Sequence, residues 1–293
     1  MTRNRPPRRD KPVSGGAGRE RRPDRPEQQN PRRAPVAPAG ASPFRAPSPD
    51  VVAIYGVHAV RAALTAGRRK LLTLYATAAA LPRIEDAARA AGLTPRVVEN
   101  RDLDLRFGAD TAHQGLLLEA RPLPEADIAD IPAGSGLVLA LDQITDPQNV
   151  GAILRSACAF GVDALIVTER HSPAFTGVLA KTASGALEHV TIVSVVNLAR
   201  ALDQLRDRGY SVIGLDSDGE QSIEALPLST PLALVLGAEG KGLRRLTRER
   251  CDAVARLDLP GPIRSLNVSN AAAAVLAVAR LRLRGERPGR SAG

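Results

Sequence analysis

Aromatic side chains are scarce in this sequence: 2% of 293 residues, with no Trp, three Tyr and four Phe. That counts against modules that read single strands by stacking bases on aromatic platforms. Cysteine is almost absent as well. Cys158 and Cys251 show no pairing pattern, which fits a reduced, cytoplasmic setting, and Cys158 sits among small apolar residues as a core thiol would. The four histidines (His58, His113, His171 and His189) are scattered without metal-ligand spacing, so no metal is expected. No apolar run approaches a membrane span, and the first 30 residues lack a signal-peptide core, so neither a membrane partner nor export is expected. An Arg-rich start could mimic a transit peptide, but 11 prolines in the first 50 residues argue against an amphipathic helix. The chain also lacks a Gly-x-Gly-x-x-Gly dinucleotide fingerprint after a strand.

The formal net charge is +9, and its distribution matters more than its size. Residues 1–50 hold 12 Lys/Arg against 5 Asp/Glu, and residues 280–293 hold five Arg and one Glu, so the stretch between them carries about −2. Basic tails attract polyanions without reading sequence, and they are equally the composition of a solvated end. Residues 1–50 show no periodicity and read as a disordered basic tail that cannot bury enough surface to offset its ordering entropy. Residues 286–293 read as a second basic tail.

Between the tails, strand and helix patterns alternate. Residues 51–121 read as a small α/β domain. In it Val57, Val60 and Leu64 share a helical face ending at Gly67, and Leu81, Ile84, Ala88 and Ala91 mark a second helix closed by Gly92. Strands are expected at 71–75, 96–98 and 115–118. Residues 122–136 contain Pro122, Pro124, Pro132, Gly134 and Gly136 and read as a linker. Residues 137–285 read as a second, parallel α/β domain of about six strands. It opens with a continuous apolar run at 137–141 of the kind that is covered on both faces. Further strands are expected at 164–167, 190–195, 210–215 and 232–236, with helices at 176–184, 198–208 and 243–250.

Three stretches of the second domain carry chemistry. In the first, an Asp146-Pro147 turn leads into Asn149-x-Gly151-x-x-x-Arg155 on a helix that stops at Gly161. Taken alone, Asn149 reads as a helix N-cap and Arg155 as a surface charge, although Gly151, Ala152, Ser156 and Ala159 leave room for a ligand or backbone near that arginine. In the second, the apolar run 232–236 enters Gly237-Ala238-Glu239-Gly240-Lys241-Gly242, where glycines allow close backbone approach to a ligand. Glu239 would repel a phosphate, and the Gly-Lys-Ser/Thr ending of a P-loop is missing, so the loop suits hydroxyl, amine or cationic groups. In the third, a Pro260-Gly261-Pro262 turn precedes Ser265-Leu266-Asn267-Val268-Ser269-Asn270, which opens an Ala-rich helix where Ser265, Asn267 and Ser269 could serve as N-caps.

In this order the three motifs resemble those of the SpoU/TrmH family of S-adenosylmethionine-dependent RNA 2′-O-ribose methyltransferases, within the SPOUT superfamily. Two shorter signatures, Tyr55-Gly56-Val57-His58-Ala59-Val60 and His113-Gln114-Gly115, resemble the substrate-binding domain of its ribosomal-RNA branch, the bacterial 23S guanosine methyltransferases. The resemblance spans residues 51–284. It implies a trefoil-knotted SPOUT domain behind a small α/β RNA-binding domain, S-adenosyl-L-methionine as cofactor, RNA as partner and a homodimer formed through the knotted domains. It implies catalytic roles for Arg155, Asn149, Glu239, Ser265 and Asn267, and backbone contacts to the cofactor at Gly237, Leu257 and Leu266. An arginine is hard to deprotonate, so electrostatic stabilisation of the ribose alkoxide is the role that suits Arg155. Arg264 departs from the small residue common in the family. A tRNA methyltransferase and a non-catalytic RNA-binding protein of the same fold are the competing readings. The substrate-domain signatures argue against the first and the intact motifs against the second.

Overall fold

The computed structural model describes residues 43–45, 48–132, 136–170, 172–175, 177–263 and 265–285. Most of the expected N-terminal tail, the C-terminal tail 286–293 and Arg264 lie outside the described residues. Four strands form the first sheet: β1 (Val52–Tyr55), β2 (Leu71–Ala76), β3 (Arg96–Val97) and β4 (Leu116–Ala120), in the order β1-β4-β2-β3. β4 runs antiparallel to β1 and β2, and β2 is parallel to β3. Helices α1 (Val57–Ala66) and α2 (Glu85–Ala90) cover one face, where Leu116 and Leu118 point, and α3 (Asn100–Phe107) covers the other through Leu103, which meets Leu117. Neither β1 nor α3 is anticipated by the sequence pattern. Half of α3 is charged and Leu103 is its one buried side chain, so its apolar stripe is too narrow to read. Pro43, Phe44 and Arg45, assigned to the tail by composition, belong to the fold. The Phe44 ring meets Tyr75 edge-on with centroids 5.0 Å apart, and the Tyr75 hydroxyl donates to the Pro43 carbonyl at 3.0 Å.

The second sheet has seven strands rather than about six: β5 (Leu137–Asp142), β6 (Ala164–Thr168), β7 (Thr191–Val195), β8 (Ser211–Leu215), β9 (Gln221–Ser222), β10 (Leu232–Gly237) and β11 (Ala253–Arg256). Their order is β7-β6-β5-β10-β8-β11-β9 and every pairing is parallel. β9 has two residues, too few to show a period, and β11 reads Ala-Val-Ala-Arg, with Val254 as its one large apolar residue, so the pattern misses both. All six residues of β5 are buried, as a strand covered on both faces requires. Its period of two still sorts side chains by size. Leu137, Leu139 and Leu141 enter one core with Leu232, Leu234 and Leu236 of β10, while Val138 and Ala140 enter the other with Ala233 and Val235.

The large-residue core is closed by α4 (Pro147–Ala159), α5 (Gly177–Thr182) and α8 (Val268–Gly285). The small-residue core is closed by α6 (Leu198–Asp207) and by the segment expected to be a linker. That segment is pinned. Ile128 and Ile131 are buried, Ala126 bridges to Val193, and the Arg208 guanidinium donates to the carbonyls of Ile128 and Ile131. After β10 the chain makes α7 (Arg245–Glu249), then β11 and α8, and α8 packs back on α4.

Cys251, just past α7, packs on the small-residue core and its thiol donates to the Thr247 carbonyl at 3.3 Å. Burial first, then the Asp252 and Asp142 carboxylates, push its pKa from 9.0 up to about 12. A folded pKa above the unfolded one means the contribution to stability is full below the unfolded value and is lost as pH rises towards the folded one. The difference in unfolding free energy between the wild type and Cys251→Ala should therefore narrow between pH 9 and 12. Urea titrations across that range check this; a constant difference would count against it.

Candidate active site

The C-terminal ends of β5 and β10 lie side by side, with Gly237 opposite Asp142 in register. Two loops leave from that point. The first, Gln143-Ile144-Thr145, runs to Asp146, whose side chain caps α4 by accepting from the Gln148 N–H at 3.0 Å, with Pro147 in the first turn. Asn149 follows, half-buried. The second loop is the glycine turn, closed by the Gly242 N–H donating to the Ala238 carbonyl at 2.9 Å. A Cβ on Gly237 would stand 2.2 Å from the Gly242 carbonyl carbon, so no residue but glycine allows the turn to fold back this far.

The third motif closes the site. Asn267 caps α8: its Oδ1 accepts from the Ser269 N–H at 2.9 Å and from the Ser269 hydroxyl at 2.6 Å. Its Nδ2 donates to Asn149 Oδ1 at 3.0 Å, so the first and third motifs, 118 residues apart, meet directly. Between them is a pocket of about 460 Å³. Gln143, Ile144, Thr145, Asp146 and Asn149 line one side, Ala238, Glu239 and Lys241 the other, with Val268 at one end.

Of the residues expected from sequence, Asn149 and Glu239 line this pocket, Asn267 holds Asn149, and Gly237 forms its root. Leu257 follows β11 and packs on the large-residue core, while Ser265 and Leu266 are exposed ahead of α8. Arg155 is exposed and does not line the pocket; among the described residues it has no hydrogen-bond or ion-pair partner. Helical geometry accounts for this. Six residues advance about 240° around the axis, so Arg155 points roughly 120° away from Asn149.

Two carboxylates absent from the expected set hold the glycine turn in place. Asp142, with no exposed side-chain surface, accepts from the Arg244 N–H at 3.0 Å and from Arg244 Nε at 2.6 Å. Asp216, at the end of β8, accepts from the Leu243 N–H at 3.2 Å and pairs with Arg248 at 3.4 Å. Their only sequence signal is an acidic residue ending an apolar strand. Among the described residues no group of His, Cys, Asp and Glu is arranged to hold a metal.

The Asp142–Arg244 pair is half open to solvent on the arginine side and closed on the other, which places it above an exposed pair in strength. Arg244→Ala would leave Asp142 buried with one backbone donor, a loss of about 1–3 kcal/mol. Chemical denaturation should show that decrease, with Arg244→Lys falling between the two. No change in either variant would mean that the clamp contributes nothing.

Comparison with known proteins places this geometry. The family model described as SpoU rRNA Methylase matches residues 136–277, and the one described as RNA 2′-O ribose methyltransferase substrate binding matches residues 53–126. The 23S rRNA (guanosine-2′-O-)-methyltransferase RlmB of Pseudomonas aeruginosa is 40% identical over 224 residues, covering 74% of this chain and 90% of that one. An uncharacterized tRNA/rRNA methyltransferase of Mycobacterium avium is 37% identical over 284 residues, 91% of each. Among solved structures, the SpoU methyltransferase AviRb of Streptomyces viridochromogenes superposes with a TM-score of 0.70 at 24% identity, over 80% of this chain and 91% of that one. The expected fold class, a parallel α/β SPOUT domain behind a small α/β domain, is the one found. With both family models matched and relatives near 40% identity over nine tenths of their length, the chain belongs to the SpoU rRNA methylase family.

Proposed function

We propose that this protein transfers a methyl group from S-adenosyl-L-methionine to a ribose 2′-hydroxyl of RNA, with a guanosine of 23S ribosomal RNA as its target. The observation that carries the reading is the Asn267–Asn149 hydrogen bond, which joins two motifs at the pocket whose far wall is the glycine turn. Family membership supports the reaction class, and relatives named for 23S guanosine support the target.

The residues fit the cofactor. The pocket of about 460 Å³ lies within the usual span of small-molecule sites, roughly 300–1,000 Å³. The root at Gly237 presents backbone rather than side chain, and Glu239 supplies a negative charge suited to a sulfonium and to ribose hydroxyls. When bound, the cofactor supplies an electrophilic methyl group. In our reading the backbone at Gly237, Leu257 and Leu266 holds the adenine end, and Asn149 and Glu239 orient the accepting ribose. Ser265 and Asn267 polarise its hydroxyl. The demanding step is stabilising the oxyanion as the proton leaves, and a fixed cation in a water-poor cleft does this best.

Arg155 is that cation, and its direction away from its own pocket supports a homodimer in which it serves the pocket of a second copy. We place the reaction in the cytoplasm, where a ribosomal substrate is assembled. Labelled-methyl transfer to total RNA, followed by mapping of the protected 2′-position, tests the target. Label on transfer RNA alone would redirect it.

Arg155→Ala should lower single-turnover methylation by about 10²–10³ while cofactor affinity by calorimetry stays unchanged. Arg155→Lys keeps the charge without the planar fork and should recover part of the loss. Mixing inactive Arg155→Ala with inactive Glu239→Ala should restore activity through the one pocket that still has both groups. No recovery from a confirmed mixed dimer would place Arg155 in its own subunit's site.

A further inference from the structure

Two domains joined by a linker move against one another by default, because such interfaces are small and polar. This junction is built differently. Arg69, between α1 and β2, forms a two-pronged pair with Glu188 of the second domain: Nε to Oε2 at 3.1 Å and Nη2 to Oε1 at 2.7 Å. Both side chains are 3% exposed. Arg68 adds a bond to the Val190 carbonyl at 3.4 Å. Beside them the backbone of Gly185 lies under α1, so closely that a Cβ there would stand 2.5 Å from the Ala62 Cβ.

The two short signatures of the first domain face the same way. The Gln114 side-chain Oε1 accepts from the Val57 N–H at 2.9 Å, which brings the signatures together, and Gly56 lies beside Lys181 of α5. The other side of α5 packs on α4, where Gly151 lies against the Leu179 carbonyl and Thr182. A continuous line of contacts therefore runs from the first domain through residues 177–190 to the helix that carries Asn149.

A buried ion pair is poor evidence of added stability, since an apolar pair of similar volume is often as stable or more so. Its distinguishing property is direction: a planar guanidinium on a carboxylate fixes an angle, whereas apolar contact does not. We propose that the Arg69–Glu188 pair is a positioning device that fixes the substrate-binding domain over the catalytic helix and thereby selects which nucleotide of a bound RNA reaches the pocket. The inference rests on the RNA methyltransferase reading above. Neither residue touches RNA or cofactor in it.

The test uses the full chain, with total ribosomal RNA and S-adenosyl-L-methionine as probes. Glu188→Gln breaks the pair, and the double variant Arg69→Met with Glu188→Leu removes it without leaving an unpaired buried charge, so that folding is preserved. Misplacement by an ångström is enough to alter reactivity strongly, so both variants should raise KM for RNA and lower the ratio of target to neighbouring 2′-methylation by roughly tenfold or more. Cofactor affinity should stay within about twofold, because the pocket is built from other residues. A purely structural role would lower turnover through a smaller folded fraction and leave the methylation pattern unchanged. A double variant with wild-type KM and wild-type site selection overturns the inference and leaves the methyltransferase reading intact. A wild type that methylates no RNA overturns both.

Discussion

Everything at the pocket depends on β10 lying directly against β5. That pairing sets Gly237 opposite Asp142, and the two loops that leave from this point become the two walls of one cleft. The strands are held by more than their ladder. Asp142 is buried at the junction, and a buried carboxylate without donors costs more than a satisfied one returns. It takes both donors from Arg244, beyond the glycine turn, so that turn cannot swing outward without stranding the charge. Asp216 does the same from β8 on the other side of β10. The late insertion of β10 between β5 and β8 is thus what turns three distant motifs into one site.

The parts of this arrangement that could be read from sequence are those whose signal is local. β5 and β10 are unbroken apolar runs, and each motif fits within about ten residues. The carboxylate clamps could not be read, because their bonds span 102 and 27 residues and an acidic residue at the end of a strand has no distinguishing pattern. α3 and β9 escape the pattern for a different reason: one has an apolar face of a single buried side chain and the other has only two residues. The proline-rich stretch after residue 121 shows the limit of composition. It reads as a spacer, yet Ile128 and Ile131 bury fully and tie it to α6. Arg155 is a mixed case. Residue and motif were legible, but the helical period, applied strictly, already separated it from Asn149.

The same frame bears on how RNA is held. With few aromatics, the chain has little with which to stack bases, and recognition must fall to shape, backbone and ribose. The region between the tails carries about −2 overall, so its net charge does not by itself attract a polyanion. Sequence-independent attraction can come from the basic ends, where the charge sits, but that term is equal for every RNA and cannot select a nucleotide. Selection then has to be geometric. A geometric reader needs two contact points at a fixed separation, and here they are a first domain set by a buried guanidinium–carboxylate fork and a cleft set by a buried aspartate. Both devices use a charge hidden from water, where interactions are screened least and orientation is held most firmly. A nearly neutral body is therefore consistent with selective binding, since the charges that matter most here are the ones turned inward.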